Sequence, residues 1–113
     1  MPNMKIALVG GGSFAWTPRV VCNILGQKHL NGAQVVLFDI NPDAVDLTHR
    51  LALKYRDLAG SPTTFEKTTT RAEAFDGADV VVVIISTGGL NAMQHDIEIP
   101  EKYGIYQTVG DTV

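Results

Sequence analysis

The chain has 113 residues, 45% of them hydrophobic and 19% charged, with a formal net charge of −3. That composition suits one domain with a core of its own and excludes disordered, collagen-like and disulfide-scaffold classes. No basic stripe is present to neutralise a phosphate backbone, no apolar run reaches the ~18 residues of a membrane span, and the start, Met1-Pro2-Asn3-Met4-Lys5, has no charged leader followed by a long apolar run. The reading is a cytoplasmic protein with no nucleic-acid and no membrane partner.

Lys5 to Gly10 reads as a buried parallel strand, because Ile6, Ala7, Leu8 and Val9 are continuously apolar. Three glycines, Gly10 to Gly12, end it. From Ser13 the spacing turns helical through Val20, Val21, Ile24 and Leu25, closing near Gly26 and Asn31-Gly32. Cys22, the single cysteine, falls among these apolar residues and reads as a small buried hydrophobe. Gln34 to Ile40 forms a second strand, after which Asn41-Pro42-Asp43 supplies a cap, a proline at the first helical position and an early acid for a helix running to about Ala59-Gly60. Thr63 to Thr69 is weakly strand-like and is followed by a short helix around Arg71 to Phe75. Asp79 to Ile85 carries the strongest strand signal, a run of Val and Ile that is expected to be central and buried. After Ser86-Thr87-Gly88-Gly89 a helix is expected over Leu90 to Ile99, ended or kinked by Pro100.

Strands alternating with helices give an α/β chain, a Rossmann-like doubly wound parallel sheet of strand order 3-2-1-4. Such a fold normally has six strands, and this chain supplies about four. Residues 1–113 therefore read as the N-terminal dinucleotide-binding part of a longer protein.

Gly10, Gly12 and Ala15 fit the pattern G-x-G-x-x-G/A, the first for a tight turn, the second for close approach of the backbone to a pyrophosphate, the third for helix packing. The helix N-terminus near Ser13 and Phe14 would offer unpaired amides and the positive end of a dipole to that anion. Asp39 follows the loop at roughly the 20-residue remove of the acid that accepts the ribose hydroxyls. It would repel a 2′-phosphate, and with Ile40 rather than an arginine beside it, NAD is favoured over NADP. The turn lacks the Gly-Lys-Ser/Thr ending of a P-loop, which argues against an ATPase. Ser86, Thr87 and Gly88 follow the fourth strand, at the reversal of strand order where the cofactor crevice opens. His95, Asp96 and Glu98 spread around a helix rather than converging on a metal. Trp16 and the stripe Leu90, Met93, Ile97 read as core, and His29, His49 and His95 assemble no catalytic set.

The segments "KIALVGGGSFAW", "LFDIN", "STGG" and "IPEKYGIYQTVGDTV" together resemble the N-terminal part of the family 4 glycoside hydrolases, the NAD- and manganese-dependent group. The likeness spans nearly the whole chain, and its last segment is most similar to the members acting on α-linked uronic acids, the α-galacturonidases and α-glucuronidases. The resemblance implies hydrolysis by a redox route: oxidation of the sugar at C3 by NAD, elimination of the leaving group across C1 and C2, addition of water and re-reduction. It also implies a divalent metal, Mn2+, as Lewis acid. The family's metal-binding cysteine and histidine and its catalytic aspartate and tyrosine would lie beyond Val113, so no catalytic or metal residue is assigned here and the 113 residues alone should be inactive. The partner implied is a small carbohydrate, and the complete enzyme is expected to be a homo-oligomer. Members acting on phosphorylated sugars carry a phosphate-binding arginine where this chain has Met93, which disfavours a 6-phosphorylated substrate. Two alternatives stand beside this reading. A lactate- or malate-dehydrogenase-type oxidoreductase would need arginines that "GGLNAMQHDIEIP" lacks, and a non-catalytic NAD-binding module would need none.

Overall fold

The computed structural model describes residues 4–86 and 88–107. The expectation for Thr87 lies outside the described residues, as does the final stretch from Thr108 onward. Four strands, β1 (Lys5–Val9), β2 (Gln34–Phe38), β3 (Thr64–Thr68) and β4 (Val80–Val83), form one parallel sheet of order β3-β2-β1-β4. This is the order read from the sequence. The connecting helices are α1 (Thr17–Gly26), α2 (Pro42–Ala59) and α3 (Arg71–Phe75), and α4 (Gly89–Glu101) follows β4.

Alternation along β1 and β2 divides the core in two. Ile6, Leu8, Val35 and Leu37 face α1 and α2, where Val21, Ile24, Val45 and Ala52 close the larger cluster with Phe65 of β3. Ala7, Val9, Val36 and Phe38 face the other way, against Ala74 of α3. Both faces are covered, so β1 and β2 need continuous apolar runs. Helix α2 begins as its sequence requires: Asn41 Oδ1 accepts from the amides of Asp43 and Ala44, both at 3.1 Å, and Pro42 occupies the first turn. It ends at Gly60, whose φ of 62° is the left-handed conformation of a glycine C-cap. His49 Nε2 donates to the carbonyl of Phe65 at 2.9 Å, tying α2 to β3.

Four expectations are corrected. Helix α1 starts at Thr17 rather than Ser13, because residues 10–16 form a run of turns before it. Cys22 is exposed. The buried line of α1 runs through Thr17, Val21 and Ile24, and one residue beyond Val21 the side chain has rotated by about 100° toward solvent. Strand β4 is neither central nor buried: among the described residues it pairs with β1 alone, and Val80, Val81 and Val83 are 41%, 45% and 60% exposed. Only its Val82 packs against the larger cluster. Finally, α4 continues through Pro100 to Glu101 and buries no residue, so Leu90, at 80% exposure, is not core, while Met93 and Ile97 are half-buried.

Candidate dinucleotide site

The C-terminal ends of β1, β2 and β4 open into a cleft of ≈ 1250 Å³. Its floor is the turn Gly10–Gly12, fixed by hydrogen bonds that consume its amides in sequence. The amides of Gly10 and Gly11 both donate to the carbonyl of Phe38, at 2.9 and 2.8 Å, so the last residue of β2 anchors the start of the turn. The Gly12 amide donates to Asp39 Oδ2 at 2.9 Å. The Ser13 amide returns to Gly10 O at 3.0 Å, and Ser13 then accepts from Trp16 and Thr17, through Oγ and O respectively. Phe14 and Ala15 are left, among the described residues, with amides that donate to nothing. The Ser13 amide, expected to be an unpaired donor, is therefore taken up within the turn, and the unpaired amides are those of Phe14 and Ala15, ahead of the helix rather than at its N-terminus.

Close packing explains why the turn is bare of side chains. Gly10 has φ of 92°, and a Cβ there would lie 2.6 Å from the carbonyl oxygen of Ile84. A Cβ on Gly11 would lie 2.8 Å from Leu37 Cβ and 2.9 Å from Leu37 Cα, against backbone that cannot yield. One on Gly12 would lie 2.8 Å from Asp39 Oδ2. Gly11 was not singled out in the pattern, yet it is packed as tightly as its neighbours. Its carbonyl accepts from Oγ1 of the buried Thr48 at 2.6 Å, which pins the outer side of the turn to α2.

Asp39 sits just past β2 with both carboxylate oxygens engaged by backbone: Oδ2 by Gly12 and Oδ1 by the Asn41 amide at 3.1 Å. Each oxygen keeps a lone pair for a further donor, so the group is held in place without being saturated. Beside it Ile40 is 87% exposed, an apolar surface at the cleft edge.

The structure brings Gly10, Gly12, Ser13, Ala15, Asp39, Ile40, Ser86 and Gly88 to this one cleft. Phe14, 64% exposed, is not on its wall, and neither is Met93. Residues on the wall that the sequence reading does not assign to the site include Trp16, Asn41, Ala44, Thr69 and Arg71, besides apolar strand ends such as Val9 and Ile84. Trp16 had been read as core, but it caps α1 instead of lying in its buried line and is 57% exposed. Thr69 and Arg71 follow β3, and the order 3-2-1-4 itself places whatever follows β3 beside the end of β2. Among the described residues no cluster of three or more His, Cys, Asp or Glu could hold a metal ion, and no helix is long and apolar enough to cross a membrane.

A family model described as family 4 glycosyl hydrolase matches residues 5–113. The chain is 36% identical over 109 residues to an alpha-galacturonidase of Thermoanaerobacter italicus, covering 96% of this chain and 23% of that protein. It is 33% identical over 113 residues to an alpha-galactosidase of Rhizobium meliloti, covering 100% of this chain and 23% of the relative. Among solved structures, a 6-phospho-beta glucosidase of Thermotoga maritima with manganese, NAD+ and glucose-6-phosphate superposes with a TM-score of 0.76 at 27% identity, over 95% of this chain and 27% of that one. The chain therefore spans about a quarter of the length of the proteins it matches.

Proposed function

This chain belongs to the family 4 glycosyl hydrolases, and we propose that it is the N-terminal NAD-binding part of a glycosidase that acts on an unphosphorylated α-glycoside, an α-uronide by preference. The observation that carries the cofactor reading is the bond from the Gly12 amide to Asp39, which sets a close-packed glycine turn and an oriented carboxylate on one cleft. The residues fit NAD. In this reading the free amide of Ala15 receives the pyrophosphate, Asp39 accepts from the ribose hydroxyls, and Ile40 offers its exposed face to the adenine. Ser86 and Gly88 line the cleft beyond β4.

Bound there, NAD supplies a hydride acceptor that can return what it takes, which suits hydrolysis through transient oxidation of the sugar at C3. The chain's own contribution is to bind and orient. The glycine turn lets the backbone approach the anion, the Ala15 amide donates to it, and the apolar side chains of Val9, Ile84 and Ile85 line the inner wall. Catalytic residues and the ligands of a divalent metal, Mn2+ in this reading, are assigned to the remainder of the enzyme. In this reading the enzyme is cytoplasmic, and the exposed Leu90, Ile99, Tyr103, Ile105 and Tyr106 offer an apolar surface for a homo-oligomer.

The uronide preference rests on the likeness to an alpha-galacturonidase and on Met93, where a thioether cannot give a phosphate dianion a charge-assisted bond. Comparing kcat/KM of the complete protein on aryl α-galacturonide, α-glucuronide, α-galactoside, α-glucoside and 6-phosphoglucoside, with NAD+ and Mn2+, tests it. The α-galacturonide should lead. A leading 6-phosphoglucoside would overturn the role given to Met93, and a leading neutral hexoside would overturn the uronide assignment.

A further inference from the structure

Among the residues on the cleft wall, Asp39 and Arg71 are the charged ones, and they carry opposite signs. They arrive from neighbouring strands. The Asp39 amide donates to the carbonyl of Thr68, the last residue of β3, at 3.3 Å, and Arg71 follows only three residues later. The two side chains differ in how they are held. The carboxylate of Asp39 is engaged by two backbone amides. The guanidinium of Arg71 is exposed and, among the described residues, makes no hydrogen bond or ion pair. A carboxylate beside the ribose disfavours a dinucleotide with a 2′-phosphate, through like charge and loss of hydration. An arginine without a partner on the same wall acts in the opposite sense, because its forked donors match a phosphate.

We propose that Arg71 is a specificity-determining residue of the cofactor site: it faces the ribose 2′ position alongside Asp39 and narrows the margin by which NAD is preferred over its 2′-phosphorylated form. The discrimination is then set by an opposed pair rather than by Asp39 alone, and the cleft is one substitution away from accepting NADP. This rests on the NAD reading above. It adds to the expectation drawn from the sequence neighbours of Asp39, since the fold places Arg71, at the start of α3, on the same cleft wall.

The test is calorimetric titration of NAD+ and NADP+ into the complete protein, its Asp39→Ser, Arg71→Gln and Arg71→Lys variants, and the Asp39→Ser/Arg71→Gln double variant. The quantity read is the ratio of the Kd for NADP+ to that for NAD+. Asp39→Ser should lower the ratio. Arg71→Gln should raise it about tenfold on either background, the effect of one charge-assisted contact, and Arg71→Lys should recover part of the loss. A ratio that Arg71→Gln leaves within twofold, with both affinities falling together or neither moving, overturns the proposal and leaves the NAD reading standing. Failure of the unaltered protein to bind NAD+ overturns both.

Discussion

The amide of Gly12 and the carboxylate of Asp39 meet at 2.9 Å, joining the turn after β1 to the end of β2. The fingerprint glycine and the ribose acid are therefore one structural unit, with the glycine's backbone setting the orientation of the acid. Replacing Asp39 by Ala removes the ribose acceptor and strips the Gly12 amide of its partner. NAD+ binding should weaken by about 1–3 kcal/mol. Asp39→Asn, which retains an oxygen for the Gly12 amide, should lose less, and titration calorimetry on the two variants reads the difference. Equal losses would mean that charge rather than turn orientation carries the effect.

The glycines separate stability from binding. A Cβ at Gly11 meets Leu37 Cβ and Cα at 2.8 and 2.9 Å, so Gly11→Ala presses on β2 near its C-terminal end and should cost about 1–3 kcal/mol of stability, as overpacking does. A Cβ at Gly12 meets the Asp39 carboxylate at 2.8 Å and Ala44 Cβ at 2.9 Å. The carboxylate can turn only by giving up its backbone bonds, and α2 must give at Ala44, so Gly12→Ala should lose NAD+ affinity and some stability, though less stability than Gly11→Ala, whose clash is with strand backbone. Denaturant unfolding and NAD+ titration on both variants check this, and a larger stability loss for Gly12→Ala would reverse the assignment.

The sheet order, the α2 cap and the glycine turn were legible because each follows from local chemistry: continuous apolar runs, Asn-Pro-Asp, and glycine bounded by a strand. What was not legible depends on neighbours distant in sequence. Val80 to Val83 carry a strong buried-strand signal, but burial depends on what packs against a strand, and here only Val82 meets the core. Cys22 was misplaced because its apolar neighbours say nothing of its own angle on the helix, one residue past the buried Val21, and Trp16 because it precedes a helix that starts at Thr17 rather than Ser13. Arg71 lies 32 residues beyond Asp39 in the chain, and only the pairing of β2 with β3 makes them neighbours.

On the outer side of α2, Asp46 pairs with Lys67 of β3 and with Arg50 one turn on, the latter at 3.3 Å. The hydrogen bond from Lys67 is the main cause that holds the Asp46 carboxyl below its ordinary value, with the charges of Lys67, Arg50 and His49 acting in the same direction and burial opposing. A carboxylate whose pKa is depressed on folding stabilises the protein above its unfolded pKa, and that contribution is lost as pH falls through the folded value. Lys67→Ala should therefore lower stability at neutral pH and flatten the acid limb, so that the two stability curves converge below the folded pKa of Asp46. Melting temperature against pH, at low and high salt, reads this, and the difference should shrink in salt because the pair is solvent-exposed. An acid limb identical in the two proteins would remove the pair from the pH dependence.

Strand β4 presents an apolar surface: Val81 and Val83 are 45% and 60% exposed, on the sheet face they share with Ala7 and Val9, and among the described residues the far edge of β4 pairs with nothing. Exposed strand edges template pairing with other chains, and charged side chains, lysine above all, are how natural sheets blunt them. The 113 residues expressed alone should therefore self-associate in a concentration-dependent way. Val81→Lys should suppress that association, because the ammonium cannot be buried against a second sheet without a partner. The substitution should change stability little, since Val81 is already half in water and its neighbour across β1 is the small Ala7. Sedimentation velocity over a concentration series, with melting temperature as the control, distinguishes the outcomes. Association by Val81→Lys equal to that of the parent chain would show that another surface is responsible, with the exposed apolar residues of α4 the next to vary.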